Sequence, residues 1–281
     1  MKICQTIAEL RAELGNHRSA GHSIGLVPTM GALHEGHLSL VRASRKSTDV
    51  TVTTIFVNPL QFGPKEDLSK YPRTFEKDAA MLEHEGVDFI FAPSVAEMYP
   101  GGATTYVIVE GVSDRLDGVS RPGHFRGVAT VVAKLFHIVG PDKAFFGQKD
   151  AAQSAVIRRM VRDLNFPLEI VVCPIVREPD GLAMSSRNAY LSAAERQQAL
   201  VLSRSLKALE ALFTKGERTT AALIAHGKDV ISQEPGARLD YFSIVHPDTL
   251  EDLPSINQPA LVAVAAWVGT TRLIDNVVLK P

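Results

Sequence analysis

The sequence predicts an α/β protein with a doubly wound, mostly parallel sheet, followed by a smaller C-terminal α+β unit. Three observations support this fold class. Short β-branched or apolar runs alternate with helical stretches as far as about residue 180. Beyond that point the order changes, and two helices precede three strands. Strand–helix–strand repetition is typical of parallel strands with helices on both faces of the sheet.

In the first part, the predicted strands cover residues 24–27, 50–57, 87–91, 143–146 and 168–176. The predicted helices cover residues 39–47, 74–85, 126–139 and 151–164. Ligands of such sheets bind at the carboxyl ends of strands, near the point where the strand order reverses. We therefore expect a site in the loops that follow strands, at residues 28–37, 58–73 and 147–153.

The C-terminal part opens with a helix start signal. Ser192 begins a Ser-Ala-Ala-Glu sequence in which Glu195 can return a hydrogen bond to the cap. Leu202, Leu206 and Leu209 mark one face of the helix that follows. A second helix is predicted at 220–232, and strands at 239–245, 261–268 and 272–278. We place the division in the turn 177–181, which gives a Rossmann-like domain at 1–178 and a smaller α+β domain at 179–281.

Composition excludes several classes of protein. The 281 residues suffice for about two domains. With 30 Lys and Arg against 31 Asp and Glu, the chain has no global basic surface for nucleic acid or an anionic membrane. Its 2 cysteines are too few for a disulfide framework or a structural zinc site. The N-terminus lacks a signal-peptide pattern, and the longest apolar run, 259–269, is too short to span a membrane. We expect a soluble, cytoplasmic protein.

The densest chemical signal is Pro-Thr-Met-Gly-Ala-Leu-His-Glu-Gly-His at residues 28–37, between a predicted strand and a helix. Gly31 and Gly36 let the backbone approach a ligand closely, and a helix N-terminus favours phosphate. His34 and His37 share one face of a helical turn, where imidazoles can donate hydrogen bonds to a triphosphate. Their spacing is not that of zinc proteases, and the Walker and dinucleotide glycine patterns are absent. A nucleotide site is favoured over a polar cap with two surface histidines.

Three further loops fit the same kind of site. Residues 180–188, Asp-Gly-Leu-Ala-Met-Ser-Ser-Arg-Asn, bring two hydroxyls and a permanent cation to the predicted domain junction. Lys149 follows another strand and can neutralise a departing pyrophosphate, with Gln153 one turn further on. Asn58 and Gln61 suit the hydroxyl and carboxylate groups of a small substrate. Taken alone, the loop at 180–188 is better explained as a polar turn between domains, and Lys149 and Asp150 can be a solvated helix start. Turn chemistry around Pro59 explains Asn58 equally well, whereas Gln61 is harder to explain in that way.

The segment 116–127, Leu-Asp-Gly-Val-Ser-Arg-Pro-Gly-His-Phe-Arg-Gly, is rich in glycine and cations. This composition is typical of a flexible flap or a second anion clamp, and also of an exposed loop. The sequence assigns no role to Asp117 or Arg121.

These motifs resemble those of the pantoate–β-alanine ligase family over essentially the whole chain. The most specific segments are 30–37, 57–63, 121–127, 147–153 and 184–188. That family is similar to the class I aminoacyl-tRNA synthetase superfamily, whose His-x-Gly-His motif matches residues 34–37 and whose second signature loop matches 184–187. The resemblance implies that ATP activates pantoate as pantoyl adenylate and that β-alanine then displaces AMP. It also implies a homodimer that uses Mg²⁺.

The resemblance further implies which residues form the site. Those assigned to ATP are Met30, Gly31, His34, Gly36, His37, Gly147, Gln148, Lys149, Asp150, Val176, Met184, Ser185, Ser186 and Arg187. Pantoate and β-alanine are assigned to Gln61 and Gln153, and Asn58 suits the same substrates by its residue type. His37 is the implied proton donor. The protein ligand of Mg²⁺ is unassigned, with Asp78 as a candidate.

The chemistry of adenylation agrees with these roles. Attack of a carboxylate on the α-phosphate brings two anions together and builds charge on pyrophosphate. We therefore predict that His37, Lys149 and Arg187 are catalytic, with Mg²⁺ bridging phosphates. Three other functions stay open from the residues alone: a nucleotidylyltransferase that keeps the nucleotide on its product, a metal hydrolase, which the histidine spacing disfavours, and a nucleotide-binding module without activity.

Overall fold

The computed structural model describes residues 1–64 and 66–281. Within these residues the larger sheet has six strands: β1 (Lys2–Cys4), β2 (Ile24–Thr29), β3 (Val50–Ile55), β4 (Phe89–Phe91), β5 (Lys143–Gly147) and β6 (Glu169–Cys173). Their order is β1-β4-β3-β2-β5-β6, and all neighbours are parallel. The order reverses between β2 and β5. The predicted α/β fold is confirmed, and the loops after these two strands leave the sheet side by side.

Helices cover the sheet and connect its strands. In the described part of the chain they are α1 (Ile7–Ser19), α2 (Glu35–Ser47), α3 (Phe75–His84), α4 (Val95–Met98), α5 (Asp117–Ser120), α6 (His124–Val139) and α7 (Ala151–Asp163). α6 is buried along most of its length, with side chains such as Phe125, Val132 and Phe136 in the core. None of the helices in the described residues is both long and apolar enough to cross a membrane.

The C-terminal part consists of two helices and an antiparallel sheet. Its described elements are α8 (Ala193–Thr214), α9 (Thr220–Ser232), β7 (Ala237–Val245), β8 (Ala260–Val268) and β9 (Thr271–Leu279), with strand order β7-β8-β9. Val262 and Val264 of β8 pack in one core with α8 and α9, whereas Leu261 and Ala263 join the core of the larger sheet. Burial on both faces explains the apolar run that the sequence shows here.

Several boundaries differ from the predicted ones for local physical reasons. β1 and α1 were not predicted, because β1 has 3 residues and α1 is mostly polar. α2 begins four residues before its predicted start, because His34 caps it. β6 ends at Cys173 because Pro174 follows, and proline has no N–H for the strand ladder.

One close contact joins α6 to the turn after β3. A Cβ built on Gly127 would meet the carbonyl group of Leu60 and would lie 2.6 Å from Gln61 Cα. Only glycine therefore allows the two backbones to approach this closely.

Gly127→Ala is expected to lower the free energy of unfolding by about 1–3 kcal/mol, because one of the two backbones must shift. Gly15 lies in α1, and no neighbouring atom of residues 1–64 or 66–281 comes within 4 Å of a Cβ built on it. Gly15→Ala is the matched control and should raise the free energy of unfolding by about 0.5–1 kcal/mol. Denaturant unfolding measures both variants. Equal effects of the two substitutions would contradict the contact.

Candidate active site

A buried carboxylate holds the loop that follows β2. Asp78 on α3 is 1% exposed. Its Oδ2 accepts from Ala32 N at 2.9 Å and its Oδ1 accepts from Leu33 N at 2.8 Å. Thr74 Oγ1 also donates to Oδ2, at 3.1 Å. Gly31 (φ 82°) and Ala32 (φ 50°) lie in the left-handed region, so the loop depends on support from outside itself.

Two predicted roles are corrected by this arrangement. Asp78 supports the loop and is not available to Mg²⁺, because it is buried and both of its oxygens bind protein groups. Gly31 gives room to this carboxylate, since a Cβ there would lie 3.1 Å from Asp78 Oδ2. Gly31 lines neither of the two cavities that the loops of the site enclose. Within the described residues, no group of three or more His, Cys, Asp or Glu side chains is placed to hold a metal ion.

The two histidines of the loop have defined tautomers. His34 caps α2, and its Nδ1 accepts from Gly36 N at 3.1 Å. His37 Nδ1 accepts from His34 N at 3.3 Å, and the ring centroids are 4.1 Å apart. A neutral imidazole whose Nδ1 accepts carries its proton on Nε2. Both rings therefore keep an Nε2–H group for a ligand.

Both imidazoles are neutral at pH 7. Burial, together with the nearby Lys149 cation, lowers the pKa of His34 to about 4. Burial, together with the neighbouring His34, lowers the pKa of His37 to about 3. In this structure His37 is therefore a hydrogen-bond donor rather than a charged proton donor.

The turn after β5 carries Lys149 into the cleft. The Lys149 side chain is 21% exposed, and its Nζ lies 3.7 Å from Asp150 Oδ1. Gln153, one turn along α7, lines the same space. Gln148 differs from its predicted role, because its Nε2 donates to Asn276 Oδ1 on β9 at 2.9 Å. It is absent from the residues that line the cleft.

The predicted substrate contact of Asn58 is also corrected. Asn58 Oδ1 accepts from Tyr99 Oη at 2.8 Å and from Leu60 N at 3.3 Å. Its Nδ2 donates to Gln61 Oε1 and to Gly127 O, each at 3.1 Å. An asparagine side chain offers two donors and two acceptor positions, and all four are filled. Asn58 therefore orients Gln61 and has no group left for a substrate.

Gln61 is fixed from a second side by the segment 116–127. The main-chain carbonyl oxygen of Gln61 accepts from His124 Nδ1 at 2.8 Å, and His124 Nε2 accepts from Arg121 Nη1 at 2.9 Å. Burial and the Arg121 cation lower the pKa of His124 to about 4. Arg121 also binds the Glu66 carboxylate at 2.6 Å. The structure thus assigns Arg121 a place beside the site, which the sequence left open.

The loop at the domain junction brings a second cation. Arg187 Nε lies 3.2 Å from Asp67 Oδ2. Burial opposes the charge of Arg187, but the hydrogen bond and the charge of Asp67 outweigh it and raise the pKa. Tyr71 Oη lies 3.5 Å from Ser186 Oγ. Asp67 and Tyr71 were not predicted as site residues, because residue type alone does not show which acid a distant arginine contacts.

These loops enclose two adjoining cavities of about 220 and 720 Å³. The smaller cavity is lined by every predicted site residue except Gly31, Asp78 and Gln148. Both cavities are lined by Arg121, His124, Lys149, Asp150, Gln153, Ser185 and Arg187. The larger one extends to β9, where Arg272 Nη1 binds Asp117 Oδ1 at 2.7 Å.

The smaller cavity also has an apolar wall that sequence analysis did not predict. It includes Phe56, Phe62, Val128, Val131, Val132 and Leu135. The last four of these come from α6, whose sequence is apolar almost all round. Such a helix indicates burial, but it does not show which side faces a cavity.

Known proteins that are similar to this chain all belong to one family in the comparisons that follow. Residues 2–278 match the family model described as pantoate-beta-alanine ligase. The chain is 63% identical to pantothenate synthetase of Acidobacterium capsulatum, over 99% of this chain and 97% of that protein. The crystal structure of pantothenate synthetase from Thermus thermophilus superposes with a TM-score of 0.95 at 49% identity, covering 100% of both chains. The structure of a pantoate-beta-alanine ligase from Francisella tularensis was solved in complex with beta-gamma ATP and beta-alanine. It superposes with a TM-score of 0.81 at 33% identity, covering 99% of this chain and 97% of that chain.

The buried histidines make stability dependent on pH. An unperturbed imidazole titrates near 6.5, whereas His34, His37 and His124 in the folded chain titrate near 4, 3 and 4. Between these values the unfolded chain binds protons that the folded chain does not. Their contribution to stability is therefore complete above pH 6.5 and is lost as the pH falls toward 4. Each ring contributes a slope of up to about 1.4 kcal/mol per pH unit.

Denaturant unfolding at several pH values from 7 to 5 measures this slope. His124→Gln removes one of the three groups and should make the slope shallower by about 1 kcal/mol per pH unit. His226 is exposed on α9, so His226→Gln is the matched control and should leave the slope as it is. An unchanged slope in His124→Gln would show that folding does not lower the pKa of this histidine.

Proposed function

The chain belongs to the pantoate–β-alanine ligase family, and we propose that its cleft joins the two substrates through a pantoyl adenylate. It is an ATP-dependent enzyme that ligates pantoate and β-alanine. In the first step a pantoate carboxylate oxygen attacks the α-phosphorus of ATP, and the bond to pyrophosphate breaks. In the second step the amine of β-alanine attacks the acyl carbon, loses a proton and displaces AMP. The products are pantothenate, AMP and pyrophosphate.

One observation supports this proposal above the others. Three loops from separate parts of the chain meet at the reversal point of the sheet and bring unlike donors together. The first offers the neutral Nε2–H groups of His34 and His37. The other two offer the cations Lys149 and Arg187, which line the same cavity. Neutral donors with two fixed cations suit a triphosphate whose charge moves to the leaving pyrophosphate.

The remaining ligand contacts follow from the lining of the smaller cavity. We assign ATP to Met30, His34, Gly36, His37, Gly147, Lys149, Asp150, Val176, Met184, Ser185, Ser186 and Arg187. We assign pantoate to Gln61 and Gln153, whose amides can bind its hydroxyl and carboxylate groups. Because Asn58, His124 and the apolar wall surround Gln61, this end of the cavity suits a small branched substrate.

We propose that Mg²⁺ enters the site bound to the phosphates of ATP. Such an ion keeps several waters and needs only one or two protein carboxylates. Asp150 fits this requirement, since it lines both cavities beside Lys149 and its side chain is 48% exposed. When bound, the ion would neutralise phosphate oxygens.

Adenylation can be measured apart from the second step by pantoate-dependent exchange between ATP and pyrophosphate. Lys149→Ala and His37→Ala should each lower the exchange rate by about 10²–10³-fold, because each removes one preorganised charge or hydrogen-bond contact to the phosphates. Lys228 is exposed on α9, so Lys228→Ala is the control and should exchange at the wild-type rate. Near-normal exchange in both site variants would overturn the assignment. AMP release in the complete reaction distinguishes the ligase from a nucleotidylyltransferase.

We also propose that the enzyme is a cytoplasmic homodimer without a nucleic-acid partner and that its domains divide as 1–178 and 179–281. The net charge of −1 supports small-molecule rather than nucleic-acid substrates. Ile108 is 60% exposed in a stretch without regular secondary structure that also exposes Tyr106, which supports a protein contact there. Light scattering of the purified protein should give twice the mass of 30.5 kDa. A mass equal to one chain would contradict the dimer.

A further inference from the structure

A buried asparagine on β9 binds the turn that carries Lys149. Asn276 is 3% exposed. Its Nδ2 donates to the carbonyl oxygens of Gln148 and Lys149, each at 2.9 Å. Its Oδ1 accepts from Gln148 Nε2, also at 2.9 Å. Three hydrogen bonds from one side chain thus cross from the small sheet to two successive residues of the turn.

The turn lacks equivalent support from its own residues. It is a short 3₁₀ segment of three residues, Gln148–Asp150, and no side chain among the residues that the structure describes caps its first amides. The planar amide of Asn276 offers two donors in a fixed geometry, and both point at main-chain oxygens of the turn. Because these oxygens are part of the backbone, the contact constrains where the Lys149 side chain starts.

The preceding residue of β9 binds the other cationic loop. Asp275 binds Arg177 through two hydrogen bonds of 2.7 and 2.9 Å. Arg177 in turn donates to Gly181 O at 3.1 Å, in the segment that leads to Arg187. Asn276 N donates to Asp275 Oδ1 at 2.8 Å, which links the two contacts directly. Adjacent residues of one strand therefore connect to both loops that carry a cation into the cleft.

We propose that Asn276 is a positioning residue for adenylation: it fixes the backbone of Lys149 and so the place of the ammonium group against the phosphates. The inference rests on the proposed function, in which Lys149 neutralises the departing pyrophosphate. Asn276 lines neither cavity, so it acts through Lys149 and not by touching a substrate.

Asn276→Asp is the sharpest test, because it keeps the shape and the acceptor for Gln148 but removes both donors. The carboxylate would also lie against two carbonyl oxygens. We expect the maximal rate of pantoate-dependent ATP–pyrophosphate exchange to fall about 10- to 100-fold, since a displacement of about 1 Å at a catalytic group has effects of this size. The KM for pantoate should stay near the wild-type value. Asn276→Ala removes the same donors without burying a charge and is measured alongside it.

A double-mutant cycle with Lys149→Ala separates positioning from general loss of structure. If Asn276 acts through Lys149, Asn276→Asp should change the exchange rate less than about 2-fold in the Lys149→Ala background. An equal loss in both backgrounds would overturn the proposal. So would wild-type exchange rates in Asn276→Asp and Asn276→Ala.

The same measurements distinguish failure of this inference from failure of the proposed function. A slow Lys149→Ala enzyme together with normal Asn276 variants contradicts only the positioning role. A normal Lys149→Ala enzyme contradicts the role of Lys149 itself. Asn257 is exposed in the same part of the chain, so Asn257→Asp is the matched control and should exchange at the wild-type rate. Thermal unfolding of each variant confirms that the rates belong to folded protein.

Discussion

The site depends on a buried carboxylate, that of Asp78, which does not line the cleft itself. Asp78 is buried on α3, yet it accepts hydrogen bonds from Ala32 N and Leu33 N of the loop after β2. A buried carboxylate is costly unless its oxygens are paired, and here main-chain amides pair them. The same bonds compensate the left-handed backbone at Gly31 and Ala32. They hold the residues that lead directly into His34, which caps α2 and whose N–H binds His37 Nδ1.

The sequence predicted most of the fold because its signals are local. Alternating apolar runs and helical stretches indicated the α/β class, and the carboxyl ends of β2 and β5 meet where the strand order reverses. The site loops followed from that topology. The roles of Asn58, Asp78 and Gln148 could not be predicted in the same way. Each binds a partner that is distant in the chain, such as Tyr99, Leu33 or Asn276, and residue type does not reveal such partners.

Positive and negative charges are balanced in the cleft, as they are nearly balanced over the whole chain. Each of its main cations lies beside a carboxylate: Arg121 beside Glu66, Lys149 beside Asp150, Arg187 beside Asp67 and Arg272 beside Asp117. A partly buried cation without a partner would destabilise the fold. On the proposed function, phosphate oxygens compete with these carboxylates, because both bind guanidinium in the same geometry. The cleft can therefore offer individual cations to a nucleotide while the chain remains almost neutral.

The small sheet completes the site that the large sheet begins. In a parallel sheet the interstrand hydrogen bonds end at the last residue of each strand. The loops that follow therefore have no backbone partners in the sheet. The turn after β5 and the loop that starts at Arg177 both lie in that position. β9 supplies the missing partners from outside, with Asn276 on the first and Asp275 on the second. β8 is buried on both faces, packs into both cores and pairs with β9 from Ala260 to Val268. On the proposed positioning role of Asn276, the packing of the small sheet on the large one therefore constrains where the backbone of Lys149 lies.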